Sequence, residues 1–239
     1  MRPISQIAEF EEAVRLQKTI WGFEDIELLP RRLFVVANKV GGQTLAGFDG
    51  AKMVAFLIAI PGLKADGTTF LHSHMLGTLA EYRDKGLGRM LKLKQRQEAL
   101  GRGIDLIEWT FDPLELKNAY FNIEKLGAEV RRFVPNQYGT TSSHLHGGLP
   151  TDRCVAEWWI RSPRVVNLLD GKPLERPAVL ARIVVPADVA ELKITDPQRA
   201  RRIQQSVSEQ FQEHFRENMW VSGFEKSAES GTYLLSEGQ

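Results

Sequence analysis

The sequence has 239 residues, of which 43% are apolar and 26% charged, as in an ordinary globular protein. Its 31 basic and 30 acidic residues give a formal charge of +1, so we expect no nucleic-acid partner and no attraction to an anionic membrane. A single cysteine, Cys154, excludes an internal disulfide and an all-cysteine metal site, which favours a cytoplasmic location. The N-terminus lacks the basic and then apolar stretches of a signal peptide and its small-residue cleavage site. The longest apolar run, MVAFLIAIPGL, is too short to span a bilayer.

The N-terminal part predicts two helices and a hairpin. MRPI reads as a short strand, and Ser5 is a candidate N-cap for a helix through SQIAEFEEAVRLQKTIW. A second helix is predicted in PRRLFVVANKVG, and Gly41 and Gly42 should end it. The apolar runs QTLAGF and KMVAFLIAI flank Asp49-Gly50, which predicts a hairpin.

A strand, a glycine loop, a helix, a strand and a helix follow in that order between Thr69 and Gly127. The strands are TTFLHSHMLGTL and IDLIEWTF. The helix between them, RMLKLKQRQEALGRG, carries Arg89, Lys92, Lys94 and Arg96, most of which should lie on a solvated face. The next helix is expected to open with Asp112 as N-cap and Pro113 at its first position. This succession predicts an α/β unit in which two parallel strands are joined by a right-handed crossover.

The C-terminal part changes in composition near Ser162. VRRFVPNQYG and CVAEWWI read as two strands, and SPRVVNLLDGKPLERP as a turn-rich connector. The strand VLARIVV, a helix capped by Asp196, and a weak strand in TYLLSE follow. We therefore predict a main domain over residues 1–162 and an accessory strand-helix-strand extension over residues 163–239.

The loop Arg83-Asp84-Lys85-Gly86-Leu87-Gly88 lies between a predicted strand and a predicted helix N-terminus. Unpaired N–H groups at a helix start bind anions, and glycines allow close approach to the backbone, so a pyrophosphate would fit there. Glycines at such turns also occur for conformational reasons alone. The third glycine of a dinucleotide-binding fingerprint and the Gly-Lys-Ser/Thr ending of a P-loop are both absent from this loop.

The pattern Arg83-x-x-Gly86-x-Gly88 resembles the acyl-CoA signature of the GNAT N-acetyltransferase superfamily. Glu81-Tyr82-Arg83 resembles the lead-in to that signature, with Ala80 where the family has proline. Downstream, Asn118-Ala119 followed by Glu124-Lys125-Leu126-Gly127 is similar to the second signature of the family. The resemblance covers roughly the first 160 residues and implies a mixed α/β GNAT-like fold with a C-terminal extension.

This resemblance implies acetyl-CoA as the co-substrate. The CoA pyrophosphate would lie on the loop amides, the pantetheine arm between the two parallel strands, and the thioester carbonyl near the amides at the end of the histidine strand. The residues expected to bind CoA are Leu76, Gly77, Thr78, Arg83, Lys85, Gly86, Leu87, Gly88, Arg89 and Asn118.

His72 and His74 lie two positions apart in the strand that precedes the loop, so a regular strand would point both to one face, together with Leu76 and Thr78. An alkylamine is mostly protonated at neutral pH and needs a base before it can attack a thioester. The His-x-His-x-Leu pattern resembles that of arylalkylamine N-acetyltransferases, which implies that the pair relays the substrate proton. Glu108 is a competing base, although pairing with a basic side chain would also explain it, and both histidines could be structural.

Zinc is the main alternative for the histidine pair. Two imidazoles need a third protein ligand, which His144 and His146 could supply if their loop folds over the sheet. Because the strand itself supplies only two ligands, we expect no metal cofactor. A zinc-dependent enzyme remains open at this point.

The sequence lacks the tyrosine that serves as the catalytic acid in many members of the family. The tyrosine that protonates the departing thiolate in many members falls at Ile123, and Tyr120 on the same helix is a candidate substitute. Since a thiolate is a tolerable leaving group, no acid is strictly required. Cys154 could carry an acyl group, although a lone cysteine beside a strand is commonly a small core residue.

We therefore predict an N-acetyltransferase that transfers acetyl from acetyl-CoA to a small-molecule amine by direct attack, with His72 and His74 assisting deprotonation. Two alternatives stay open: a GNAT-like sensor that binds acyl-CoA without turnover, and an enzyme with a His-x-His zinc site. The C-terminal extension could cover the acceptor or build a homodimer.

Overall fold

The computed structural model describes residues 1–139 and 148–238, and it divides into two compact units. The first unit is Met1–Trp109, and the second comprises the described residues from 110 onward. The domain boundary predicted after residue 162 does not coincide with this division and stays a prediction. None of the described helices combines the length and the apolar composition that crossing a bilayer requires.

The first unit follows the predicted order of elements. Its helices are α1 (Ile7–Trp21), α2 (Arg31–Lys39) and α3 (Leu87–Gly101). Its strands are β1 (Arg2–Pro3), β2 (Gln43–Asp49), β3 (Lys52–Leu63), β4 (Thr69–Thr78) and β5 (Leu106–Phe111), whose last two residues belong to the second unit. Strands β1 to β4 are antiparallel neighbours, whereas β4 and β5 are parallel. The mixed sheet, the hairpin at Asp49-Gly50 and the parallel crossover are thereby confirmed.

Helices pack on both faces of the sheet in the first unit. On one face, α1 and α2 bury Phe10, Leu16 and Phe34 against Phe56 and Ile58 of β3. Helix α3 covers the opposite face through its own buried stripe, Leu91, Lys92, Gln95 and Ala99. The i, i+3, i+4 spacing of both stripes explains why these segments form helices on the sheet.

The start of α1 differs by one residue from the prediction. Gln6 rather than Ser5 is the N-cap, because the Glu9 carboxylate accepts hydrogen bonds from the backbone N–H groups of both Ser5 (2.9 Å) and Gln6 (3.0 Å). The glutamate closes the first turn of α1 from inside the helix, as in a capping box.

The second unit holds four further helices among its described residues. They are α4 (Leu116–Tyr120), which continues as a π-helical turn over Phe121–Lys125, α5 (Pro163–Leu169), α6 (Val189–Thr195) and α7 (Pro197–Arg216). Its strands are β6 (Glu129–Val134), β7 (Arg153–Trp159), β8 (Ala181–Pro186), β9 (Met219–Lys226) and β10 (Ser230–Glu237), in the sheet order β7-β6-β9-β10-β8. An aromatic core joins α7 to this sheet: Phe211 stacks on Phe133 at 5.1 Å and meets Tyr233 at 5.0 Å.

Three sequence predictions are wrong in the second unit. Asp112 and Pro113 do not open a helix, because the Asp112 carboxylate accepts from the Leu114 N–H (2.8 Å) in a turn and α4 begins only at Leu116. The segment expected to be a connector contains α5, and the tail contains α6 and β9, neither of which was predicted. The tail strands continue the sheet of β6, since Val130 of β6 pairs with Val221 of β9.

Candidate active site

Strand β4 contains a β-bulge at His74. Its pairing with β3 runs from His72 opposite Ile60 and Ser73 opposite Ala59 to Met75 opposite Ile58, so His74 is the extra residue. A bulge shifts the alternation of side chains along a strand by one position. After His74, the side chains of β4 therefore point to the opposite faces from those that a regular strand would give them.

The bulge overturns the prediction that His72, His74, Leu76 and Thr78 share one face. Met75 and Ile60, the partner of His72, both pack against the apolar cluster under α1 and α2. Leu76 instead faces α3, where its Cδ2 lies 3.7 Å from the Cβ position of Gly88. His72 and His74 are still neighbours, with ring centroids 5.6 Å apart, so the predicted pair exists for a different reason.

Strands β4 and β5 pair only at their beginnings. The parallel register runs from Phe70 opposite Leu106 to His72 opposite Glu108, and no pairing between these strands continues past this point among the described residues. The remainder of β4, from Ser73 to Thr78, pairs with β3 alone. Because N–H groups alternate between the two edges of a strand, some of those in Ser73–Thr78 point away from β3 into the gap.

The glycine loop connects this gap to α3. Gly86 is the N-cap of α3 with φ of 79°, a left-handed conformation that glycine adopts without strain, and no described side chain caps the helix. A Cβ added at Gly86 would meet no atom within 4 Å, so the backbone here is open to a ligand. Arg83, Lys85 and Arg89 are exposed around it. The arrangement suits an anion, since unpaired N–H groups and the helix dipole act together.

The side chains of the candidate base and its neighbours lie close together. Glu108 is buried and opposite His72 in the register, and its carboxylate forms a 2.6 Å ion pair with Lys64, as the alternative reading of Glu108 expected. Burial lowers the pKa of His74 below its ordinary value. An imidazole with a lowered pKa is uncharged at neutral pH and can accept a proton.

Lys92 is buried, contrary to the expectation of a solvated helix face. The residue is 3% exposed and projects from α3 onto Ser73 of β4 and Trp109 of β5. The sequence signal for this burial is the helical spacing of Lys92 with Gly88, Gln95 and Ala99, which places all four on one side of α3. Its high charge alone suggested solvent exposure.

The remaining candidate residues belong to the second unit. Asn118 is exposed and Tyr120 half-buried on α4, and Lys125 lies over the Tyr120 ring at 5.2 Å. Ile123, at the position of the expected tyrosine, is completely buried. Cys154 is also completely buried, and burial raises the pKa of its thiol well above the ordinary value, which is the property of a core residue.

The zinc alternative depends on residues that the structure leaves out. His144 and His146 lie outside the described residues. Within the described residues, no group of three or more histidine, cysteine, aspartate or glutamate side chains could hold a metal ion. His72 and His74 alone therefore provide two of the ligands that a zinc site would need.

Comparisons with known proteins identify the fold. No family model and no curated protein matches the sequence. Among solved structures, the chain is similar to an aminoglycoside 6'-acetyltransferase type Ii, with a TM-score of 0.52 and 20% identity over 67% of this chain and 96% of that one. It is similar to NAA60 of Arabidopsis thaliana in complex with a bisubstrate analogue, with a TM-score of 0.53 and 13% identity over 66% of this chain and 95% of that one.

A third match carries the name of the class. An acetyltransferase of the GNAT family from Streptococcus pneumoniae is similar with a TM-score of 0.50 and 14% identity, over 65% of this chain and 96% of that one. The chain thus has the mixed α/β fold of the GNAT acetyltransferases, and the predicted fold is confirmed. At these identities the similarity concerns the fold, and activity has to be argued from the site.

Proposed function

We propose that this protein is an acyl-CoA-dependent N-acyltransferase that transfers acetyl from acetyl-CoA to an amine. The observation that carries the proposal is the path of β4, which parts from β5 after His72 and leads directly into the uncapped N-terminus of α3 at Gly86. A pyrophosphate would lie on the N–H groups of that helix start. The pantetheine arm would follow β4 along the gap, where free backbone N–H and C=O groups can bind its amides.

The histidine pair supports transfer to an amine. In the proposed reaction the amine nitrogen attacks the thioester carbonyl carbon, the C–S bond breaks, and the amine proton passes to His74 or His72, directly or through water. The lowered pKa of His74 keeps this imidazole unprotonated at neutral pH. The CoA thiolate leaves without a dedicated acid, because its conjugate pKa of about 8.5 makes it an acceptable leaving group. Ile123 cannot supply a proton, and Tyr120 stays a candidate.

Calorimetric titration with CoA and acetyl-CoA, followed by a thiol-release assay over a panel of small amines, tests the proposal. Binding together with thiol release and an acetylated product would support it. Failure to bind either ligand would exclude acyl transfer and acyl-CoA sensing together.

Gly88 offers a sharp test of where the phosphate binds. It is the second residue of α3, and a Cβ added there would meet only Leu76, at an ordinary 3.7 Å. Gly88→Glu places a carboxylate at the helix start, which the helix dipole favours but which repels a phosphate. We expect CoA affinity to fall by at least about tenfold in Gly88→Glu, while the matched Gly88→Ala binds within about threefold of the unmodified protein. Equal affinity in both variants would place the phosphate elsewhere.

A sensor that binds acyl-CoA without turnover is the second candidate, and the complete burial of Ile123 at the usual acid position favours it. Binding without thiol release on any amine would select the sensor. A zinc enzyme is the third candidate, and it requires stoichiometric zinc by elemental analysis together with activity that a chelator removes.

The acceptor and the setting of the protein are part of the proposal. We propose a small-molecule amine, which an assay with peptide amines in parallel would distinguish from a protein acceptor. A cytoplasmic location is supported by the use of one buried, unpaired cysteine.

A further inference from the structure

A buried polar cluster lies between α3 and the sheet, around the amine of Lys92. Lys92 Nζ donates to Ser73 Oγ (2.9 Å) and to Gln95 Oε1 (3.3 Å), and it lies 3.5 Å from the centre of the Trp109 ring. Ser73 Oγ in turn donates to Gln95 Oε1 (3.2 Å). The three N–H bonds of an ammonium group therefore all have partners, one each from β4, α3 and β5.

The cluster sits where the two parallel strands part. His72 and Glu108 are the last paired residues of β4 and β5, and Ser73 and Trp109 are the residues that follow them. Lys92 contacts both of these residues, so its amine bridges the strands at the fork. Ser73 is also the last residue before the bulge at His74. Hydrogen bonds with Lys92 and Gln95 of α3 thus hold the residue that separates His72 from His74.

The polar cluster around Lys92 stabilises the fold less than apolar side chains would at the same position. No carboxylate among the described residues pairs with Lys92, so burial of its amine is not compensated by an opposite charge. Two further buried atoms, Gln95 Nε2 and Gln43 Oε1, have no hydrogen-bond partner in the described part of the chain. Apolar residues of the same size would fill this position at lower cost. The arrangement therefore calls for a role other than packing.

We propose that Lys92 is a positioning residue: from α3 it holds Ser73 and thereby fixes the bulge of β4 that sets His72 and His74 side by side. A bulge leaves one residue outside the hydrogen-bond ladder, and that residue is held only by its surroundings. Ser73 is anchored on the α3 side, so His74 is turned toward His72 on the other side. The consequence for catalysis rests on the proposed acyl transfer, whereas the positioning itself does not.

Histidine titration by NMR tests the positioning without any assumption about activity. The resonances of His72 and His74 are assigned with His72→Gln and His74→Gln, and both pKa values are then measured in Lys92→Met, Ser73→Ala and Lys94→Met. Lys94→Met is the matched control, since it removes a partly exposed lysine of α3 that pairs with Glu98 at 3.6 Å. We expect the pKa of His74 to rise by about 0.5 unit toward its ordinary value in Lys92→Met and Ser73→Ala, and to stay within about 0.1 unit in the control.

Unchanged histidine titration in both Lys92→Met and Ser73→Ala would overturn the positioning role. Both variants remove the hydrogen bond between Lys92 and Ser73, and Ser73→Ala also removes the bond to Gln95, so either variant provides the test if the other fails to fold. In the double variant the shift should equal that of Ser73→Ala alone, because that variant already lacks the contact through which Lys92 acts. Additive shifts would contradict action through Ser73.

Kinetics then tests the consequence. If the unmodified protein turns over, we expect Lys92→Met to lower kcat by about tenfold to a hundredfold, while CoA affinity is maintained and stability does not fall. If Lys92 were merely structural, its removal would leave kcat of the folded protein unchanged, and that result would refute the functional part of the proposal. Absence of turnover in the unmodified protein would refute the proposed acyl transfer, and the histidine titration would still decide whether Lys92 positions the pair.

Discussion

Replacing Lys92 by methionine should stabilise the protein, and the gain should depend on pH. Burial lowers the pKa of Lys92 well below its ordinary value, so the folded protein loses this proton at a lower pH than the unfolded chain, whose lysine has a pKa of about 10.4. Unfolding then takes up a proton, and stability rises with pH between the folded and the unfolded pKa. Outside this pH window, the contribution of Lys92 to the free energy of unfolding no longer changes with pH.

The contacts of the Lys92 amine reduce the destabilisation that its burial causes, but they do not cancel it. The Trp109 ring can contribute about 2 kcal/mol to a desolvated cation, and each of the two hydrogen bonds about 1 kcal/mol. The desolvation of a buried ammonium is larger, at several kcal/mol even after relaxation. Methionine would leave Ser73 and Gln95 bonded to each other at 3.2 Å, so the substitution does not orphan them. The net direction is therefore a more stable variant at neutral pH.

The measurement is urea unfolding of both proteins at several pH values from about 6 to about 9, followed by circular dichroism. Subtracting one curve from the other removes the titration of every group except Lys92. We expect the advantage of Lys92→Met to shrink by about 1.4 kcal/mol per pH unit within the window as pH rises, which is the value for one proton. A pH-independent difference would show that Lys92 titrates alike in the folded and unfolded chain and would refute this reasoning.

Three further predictions concern other side chains. Changing His72 and His74 together to alanine should leave CoA affinity within about twofold and lower turnover at neutral pH by about a hundredfold or more, and unchanged turnover would exclude their catalytic role. Lys193, unlike Lys92, pairs with Asp112 at 3.3 Å, so Lys193→Met should destabilise the protein by about 3 kcal/mol in urea unfolding, and a stabilised variant would contradict this account. The Cys154 thiol should react with a thiol reagent only after unfolding, because it is buried and its pKa is raised, and rapid reaction of the native protein would contradict this.

The local patterns that predicted the fold are those that depend on neighbours in sequence. Helix α3 and strand β4 were found because a glycine loop separates a buried apolar run from a helical stripe. Strand β9 was missed because MWVSGFEK gains its stability from pairing with β10 and β6, which its own pattern does not reveal. Asp112-Pro113 gave a false helix start because the same two residues also suit a turn.

The residues of the candidate site could be predicted from the sequence, whereas their arrangement could not. The pair at His72 and His74 was visible as a motif, but its geometry was predicted from a regular strand. The bulge that determines it arises from the register between β4 and β3, which no local pattern encodes. The burial of Lys92 could have been predicted from its helical spacing with Gln95 and Ala99, but its charge favoured exposure. Helical spacing is therefore a better indication of burial at this position than the charge of the residue.

The bulge also changes what the histidine motif means chemically. In an unbulged strand, His72 and His74 would point to the face that Leu76 shares, and both would be equally placed toward any ligand on that face. With His74 as the extra residue, the two rings are 5.6 Å apart although Leu76 turns toward α3. In the proposed acyl transfer, two imidazoles at this separation could pass a proton from one to the other, and His74, whose pKa is lowered by burial, would accept it in the uncharged form. The proposed proton relay therefore depends on a bulge in β4 and not on two equivalent positions of a regular strand.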